Sequence, residues 1–359
     1  MGARSRTKPS IDLRGNLECD GDFLLFLSGA YMLSAALFSA VDLELFDSLE
    51  RSPKPVDGLA RDRGVPDHAA ERIVTALHAI GLLERDEDGV YRNTPLASRA
   101  LVQSSPGNIR SFLLYQQRHM VPLFGRLPDA LRSGRPQIDA LYEQQSGYYR
   151  GLARDPAMLR LFLEAMNTAA VGVGRCIAQR VGFESIERLV DMGGGGGQVA
   201  LELVQAVPHL RVTLVEQPEA CAFAREFLAG REGASRIEVR AGDFVAEPLS
   251  DPFDAVLLGG VLADWDEADR TKILAHAYTS LRPGGTLLAS ETLLDDDGSG
   301  PLLPALLSLT MLVGMGGKNF TAAELQRMLL EAGFEQPRTI SNRDLGVRDL
   351  VVATKPRGS

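Results

Sequence analysis

The run Leu189-Val190-Asp191-Met192, followed at once by five glycines at 193–197, constrains this chain more than any other stretch. A short apolar run that ends near an acid and opens into glycines is the pattern of a β-strand delivering its backbone to a ligand. With no Cβ in the way, the turn's N–H groups can approach closer than any other residue would permit. A second apolar run, Val212-Thr213-Leu214-Val215, follows further on and closes in Glu216. An acid at the end of the next strand is placed to accept hydrogen bonds from a ribose diol. Together the two runs point to a nucleoside-containing cofactor.

The C-terminal half alternates strand and helix, which implies a largely parallel sheet with helices on both faces. The pattern predicts strands at 187–192, 211–216, 236–240, 253–258 and 285–290, with a β-pair near 336–341 and 348–354. Amphipathic stretches at 199–207 and 268–281 lie between them, and Pro208, Asp251-Pro252 and Arg282-Pro283-Gly284-Gly285 read as turns. Ligands of open α/β sheets bind at the carboxyl ends of the strands. The glycine run, Glu216, Asp243-Phe244 and Gly259-Gly260 all fall there.

A chain of 359 residues accommodates a second domain in front of this one. Residues 23–41 carry no charge, nearly enough to cross a bilayer. Acids at both flanks (Asp20, Asp22, Asp42, Glu44) and the interruptions Ser28, Gly29, Ser34 and Ser39 favour a helix packed against a twin subunit instead. Residues 40–100 read as short helices followed by a hairpin, 82–92, the layout of a winged helix. Asp67 and Glu71 on the second helix and an acidic turn, Asp86-Glu87-Asp88, would repel phosphate, so the expected role is structural. Residues 105–180 read as helices broken at Pro122, Pro128, Pro136 and Pro156, a lid rich in aromatic and polar side chains. The expected organisation is a flexible N-terminus, 1–20; a dimerisation and winged-helix domain, 21–104; a helical lid and linker, 105–180; and a Rossmann-like domain, 181–359.

A net charge of −9 argues against nucleic acid or an anionic membrane as the main partner. Cys19, Cys176 and Cys221 are scattered and odd in number, which fits a reducing, cytoplasmic compartment, and the polar N-terminus lacks a secretory layout. No His, Asp or Glu cluster has metal-ligand spacing, so no metal is expected.

The ordered series VDMGGGGG, TLVEQP, AGDF, VLADWD, LRPGG and MGGKNFTAAEL resembles the S-adenosylmethionine-dependent methyltransferases of the plant caffeate and bacterial antibiotic O-methyltransferase type. The likeness covers nearly the whole chain. It implies S-adenosylmethionine as cofactor, with S-adenosylhomocysteine as product, a small aromatic substrate, and a homodimer joined through the N-terminal helices. It also implies that Asp191 and Gly193 lie beside the methionine portion and the sulfonium, that Glu216 grips both ribose hydroxyls, and that Asp243 and Phe244 meet the adenine; Gly195 is grouped with the cofactor contacts.

The departures from that pattern bear on the chemistry. The family's general base is a histidine immediately before Asp-Trp, whereas Ala263 precedes Asp264-Trp265 here. Asn319 stands where an acid is expected, and Gly259 where a lysine or arginine is; Gly259 is grouped with the cofactor contacts by position. Glu291 alone remains of that neighbourhood. An alanine cannot accept a proton. His119, Tyr115 and the pair Tyr148-Tyr149 are therefore candidate substitutes, with Tyr148, Tyr149, Met166, Asn167, Ala263 and Asn319 as candidate substrate contacts. His68, His78, His209 and His276 read as surface or helix residues far from the site. The reading that follows is methylation of a phenolic, possibly amino-acid-derived, natural-product intermediate on the ring carbon ortho to a hydroxyl. The alternatives are O- or N-methylation by proximity alone, or a non-methylating member that keeps the cofactor.

Overall fold

The computed structural model describes residues 20–142 and 147–358, which divide into two compact units, 20–121 and 122–358. The division falls inside the stretch 105–180. The expected flexible terminus, apart from Asp20, lies outside the described residues, and so does Cys19.

In the first unit Asp20–Asp42 is one continuous helix. Its early turns expose Leu24, Leu25, Tyr31 and Met32, and burial becomes complete only at Ala40 and Val41. The helices Leu45–Arg51, Val56–Arg63 and Asp67–Ala79 close around Phe46, Leu49, Leu59, Val74 and Leu77. Strands β1 (Leu83–Arg85) and β2 (Tyr91–Asn93) pair antiparallel as the wing. Asp86 works inside the turn: its carboxylate accepts from the Val90 N–H at 2.9 Å and pairs with Arg92 at 2.8 Å.

The second unit is built on a seven-stranded sheet. Its strands are β3 (Arg188–Met192), β4 (Arg211–Glu216), β5 (Ile237–Ala241), β6 (Phe253–Gly259), β7 (Leu281–Glu291), β8 (Glu335–Ile340) and β9 (Asp349–Thr354). They lie in the order β5-β4-β3-β6-β7-β9-β8, and β9 runs antiparallel to both its neighbours. Successive residues point to opposite faces. Leu189, Leu257 and Leu288 therefore enter one apolar cluster, while Val190, Val256 and Leu287 enter the other. Each such side chain, fully buried, contributes about 1.5–3 kcal/mol. A sheet with both faces covered explains why its strands read as continuous apolar runs rather than alternating ones.

Two local readings change. Pro128 and Pro156 do not break helices but start them, in Leu127–Ser133 and Pro156–Ala169. Proline's fixed φ suits the first helical turn, where its missing N–H has no intrahelical partner to lose. The second start is also capped, since Asp155 accepts from the N–H groups of Ala157 and Met158. The expected turn at 282–285 is instead the irregular opening of β7. There the Gly284 N–H donates to the Lys355 carbonyl at 3.0 Å and the Gly285 carbonyl accepts from the Lys355 N–H at 2.8 Å. The register shifts between Phe253 and Ala255 opposite, the kind of irregularity that admits a proline into a strand.

The switch point lies between β3 and β6, because the chain moves outward to β4 and β5 on one side and to β6 and β7 on the other. The glycine turn sits there. A Cβ on Gly196 would lie 2.5 Å from both side-chain amide atoms of Asn167 and 2.6 Å from the Phe223 ring. Gly196→Ala should lower unfolding stability by about 1–3 kcal/mol, as overpacked sites do. Urea denaturation with an unchanged midpoint would contradict the close packing of Asn167 on the turn.

Candidate cofactor and acceptor site

The turn is tied into the sheet by hydrogen bonds. The Gly193 N–H donates to the Val215 carbonyl at 2.9 Å, and the Gly195 N–H donates to Glu216 Oε1 at 3.1 Å. Glu216 also accepts from the Gln217 N–H at 2.8 Å, and it stays partly exposed at the end of β4. Burial nevertheless raises its carboxyl above the usual range, with the two backbone N–H groups opposing. The Cα of Gly195 faces open space. Phe244 is buried, and its ring edge is 3.2 Å from where a Gly193 Cβ would be.

Asp191 is 1% exposed, and its Oδ2 has no hydrogen-bond partner among the described residues. Burial, reinforced by Glu216, pushes its carboxyl up to about 7. Asn167, expected as a substrate contact, lies against the glycine turn, with Nδ2 buried and unpartnered. Met166, its neighbour, is half-buried. Asp243 is exposed, and its Oδ1 caps the following turn by accepting from Val245 and Ala246. An open glycine face, an acid closing β4 beside it and, among the described residues, two orphaned buried polar groups at the turn are what a polar, cationic nucleoside donor would satisfy. The residues fit S-adenosylmethionine.

Beyond β6 the loop 260–263 is held from below by Glu291, whose Oε1 accepts from the Val261 and Leu262 N–H groups at 3.1 and 2.9 Å. Burial raises that carboxyl to about 7. Its geometry is that of a loop anchor. Ala263 is 5% exposed within the apolar cluster of Leu262, Leu293 and Phe320. Asn319 is buried and donates through Nδ2 to the Thr292 carbonyl at 2.8 Å. Gly259 has only Leu257 nearby, 4.0 Å from its Cβ position.

Asp264, which follows Ala263, forms a pair with a tyrosine. The Tyr149 hydroxyl donates a hydrogen bond to Asp264 Oδ2. Burial raises Asp264 to about 6, while burial and the Asp264 charge lift the phenol of Tyr149 well above its ordinary value. Tyr149 stacks on Trp265 at 5.8 Å between centroids and meets Tyr148 and Phe162 edge-on at 5.5 and 6.1 Å. The four rings form an aromatic wall beside the carboxylate.

Tyr115 and His119 belong to the unit 20–121, where their rings stack at 5.2 Å across a π-helical turn, Gln116–Met120. Burial lowers His119 to about 4, which makes it a weak proton acceptor at neutral pH. His78 and His209 bond backbone carbonyls. His276 is not remote from the cleft: its Nδ1 meets the Phe244 carbonyl at 2.9 Å and so braces a cleft residue. Its helical spacing gave no sign of this, because the contact crosses to another loop.

A mostly parallel seven-stranded sheet with an antiparallel β9 and a glycine turn at the switch point is the Rossmann-like arrangement of class I methyltransferases. The O-methyltransferase domain model matches residues 124–335, and the O-methyltransferase dimerisation domain model matches residues 25–103. The chain is 36% identical over 319 residues to the 3-hydroxy-5-methyl-1-naphthoate 3-O-methyltransferase of Streptomyces sahachiroi, spanning 89% of this chain and 91% of that protein. It is 35% identical over 350 residues to the tetracenomycin polyketide synthesis 8-O-methyl transferase TcmO of Streptomyces glaucescens, spanning 97% and 99%. The crystal structure of human N-acetylserotonin methyltransferase in complex with S-adenosylmethionine superposes with a TM-score of 0.88 at 29% identity, covering 95% of this chain and 99% of that one. The chain belongs to the O-methyltransferase family and is an S-adenosylmethionine-dependent methyltransferase. One described helix, Asp22–Asp42, is long and apolar enough to cross a membrane, and most of it falls within the matched dimerisation domain.

If Glu216 binds the ribose, Glu216→Ala should weaken S-adenosylhomocysteine at least about a hundredfold by calorimetry, since two hydrogen bonds to a charged acceptor are lost. Glu216→Gln, which can still accept from Gly195, separates ribose binding from loop order. Unchanged affinity in both variants would remove the ribose assignment.

Proposed function

We propose that this enzyme methylates a small phenolic natural-product intermediate on the ring carbon ortho to a hydroxyl, and that Asp264 takes the hydroxyl proton. The Asp264–Tyr149 pair, next to an alanine that cannot act as base, supports Asp264 as the base. The choice of carbon rests on Ala263, where the absence of an imidazole would give a ring carbon room to approach. Asp264, near 6, is ionised at neutral pH and able to accept a proton. Tyr149 stays protonated and holds the carboxylate in place. The aromatic wall of Tyr148, Tyr149, Phe162 and Trp265 suits a flat ring, which it would orient edge-on to the carboxylate. Loss of the phenolic proton leaves negative charge on oxygen and on the ortho carbon, so the same base serves attack by either atom. A ring carbon that gains the methyl then gives up its hydrogen, which returns to the phenolic oxygen and restores the aromatic ring.

S-adenosylmethionine, when bound, supplies an electrophilic methyl group on a cationic sulfur. Gly193, Gly195, Glu216 and Phe244 would hold its nucleoside, and Asp191 and Asn167 would supply polar groups at the turn. A second reading, O-methylation, draws on the named activities of the two Streptomyces relatives, both O-methyltransferases. We also read the N-terminal unit as a homodimer interface, because the helix Asp20–Asp42 exposes Leu24, Leu25, Tyr31 and Met32 within the matched dimerisation domain or at its edge.

Incubation with labelled donor and a panel of hydroxylated aromatics, followed by proton NMR, separates the readings. A lost ring proton with a new aryl methyl supports carbon; a methoxy signal supports oxygen and sinks the carbon proposal. Asp264→Asn should lower kcat by about 10²–10⁴-fold, the usual worth of a positioned base. In the unmodified enzyme the rate should fall as pH drops below about 6, where Asp264 takes up a proton. A variant as fast as the parent, with the same acid limb, would exclude Asp264 as the base.

A further inference from the structure

The end of β6 lacks the cation that the resemblance leads one to expect at position 259, and the fold supplies one from elsewhere. A Cβ on Gly260 would lie 2.5 Å from Arg348 Nη1 and 2.7 Å from its Cζ, so the guanidinium rests against the bare Cα of that glycine. Any side chain at 260 would displace it, and the local φ of +71° favours glycine as well. Arg348 immediately precedes β9, and antiparallel pairing sets Asp349 opposite Glu291 at the carboxyl end of β7. The reversed strand thereby brings an arginine from near the C-terminus to the ligand end of the sheet.

The guanidinium is half-buried and, among the described residues, makes no hydrogen bond and no ion pair within 4.0 Å. The backbone behind it is fixed, because the Arg348 carbonyl accepts from Asn342 Nδ2 at 2.9 Å. Its charge is felt by Asp191, Asp264 and Glu291, whose carboxyls it lowers against the effect of burial. The loop it rests on adjoins the glycine turn: Val261, next to Gly260, has Cγ2 2.9 Å from the Gly193 Cβ position. A partly desolvated guanidinium with an unused fork of donors is built to take a carboxylate.

We propose that Arg348 binds a carboxylate in this cleft, that of the amino-acid end of S-adenosylmethionine, in place of a cation on β6. A carboxyl group on the acceptor has the same chemistry, and the experiment tells the two apart. Arg348→Gln and Arg348→Lys are titrated calorimetrically with S-adenosylhomocysteine and with 5′-methylthioadenosine, which keeps the nucleoside and lacks the amino acid. For Arg348→Gln the expected result is a loss of about ten- to a hundredfold for S-adenosylhomocysteine. Methylthioadenosine affinity stays unchanged, and Arg348→Lys, which keeps the charge but not the fork, falls between. Unchanged S-adenosylhomocysteine affinity overturns the proposal, and a raised KM confined to carboxylated acceptors would then assign Arg348 to the acceptor. Equal loss for both ligands also overturns it, as a collapse of the cleft. Methylthioadenosine binding to the parent protein reports separately on the nucleoside site.

Discussion

Too many carboxylates for too few cations is the constraint around which the ligand end of this sheet is arranged. Asp191, Asp264 and Glu291 are held at the ends of adjacent strands, and burial raises all three above the ordinary carboxylate range. A buried acid without a full set of partners is expensive for the folded state. The chain answers each differently. Glu291 is stabilised by two backbone N–H groups and Asp264 by the Tyr149 hydroxyl, while Asp191, whose Oδ2 has no partner among the described residues, feels the charge of Arg348. What is missing is positive charge, and the donor of a methyltransferase brings it as a sulfonium.

The same constraint explains the glycines. Side chains that would otherwise crowd the turn belong to neighbours: Asn167 lies over Gly196, Phe244 over Gly193 and Arg348 over Gly260. Only backbone remains to face the ligand at Gly195, whose N–H is already committed to Glu216. The acceptor side follows a different rule. On the proposed reading, Tyr149, bonded to the Asp264 carboxylate and packed against Tyr148, Phe162 and Trp265, would hold a flat acceptor by area and a single polar contact.

Much of this is legible from residue order. The β3 and β4 runs, with Glu216 at the end of the second, are read correctly because a doubly covered parallel strand is apolar throughout and its ligand end is marked by glycine and acid. Pairing across distant segments is not legible. Nothing near position 348 hints that the arginine will meet Gly260, because that meeting depends on the reversed direction of β9. Likewise Tyr149 and Asp264 lie far apart in sequence, and neither has a local signature of the other. The prolines at 128 and 156 read as breaks because proline marks both ends of helices, and only the caps around it tell which.

Thermal unfolding across pH, with and without S-adenosylmethionine, tests the charge argument most directly. Asp191 and Glu291 titrate near 7 when folded and near the ordinary carboxylate values when unfolded, so the folded state holds more protons between those limits. The ligand-free protein should therefore lose stability from these two groups as pH rises from about 5 to about 7, with no further loss from them well above 7, and the stabilisation by S-adenosylmethionine should grow over the same interval. A ligand-free melting temperature that climbs with pH, together with a donor-induced shift that shrinks or vanishes, would contradict the account.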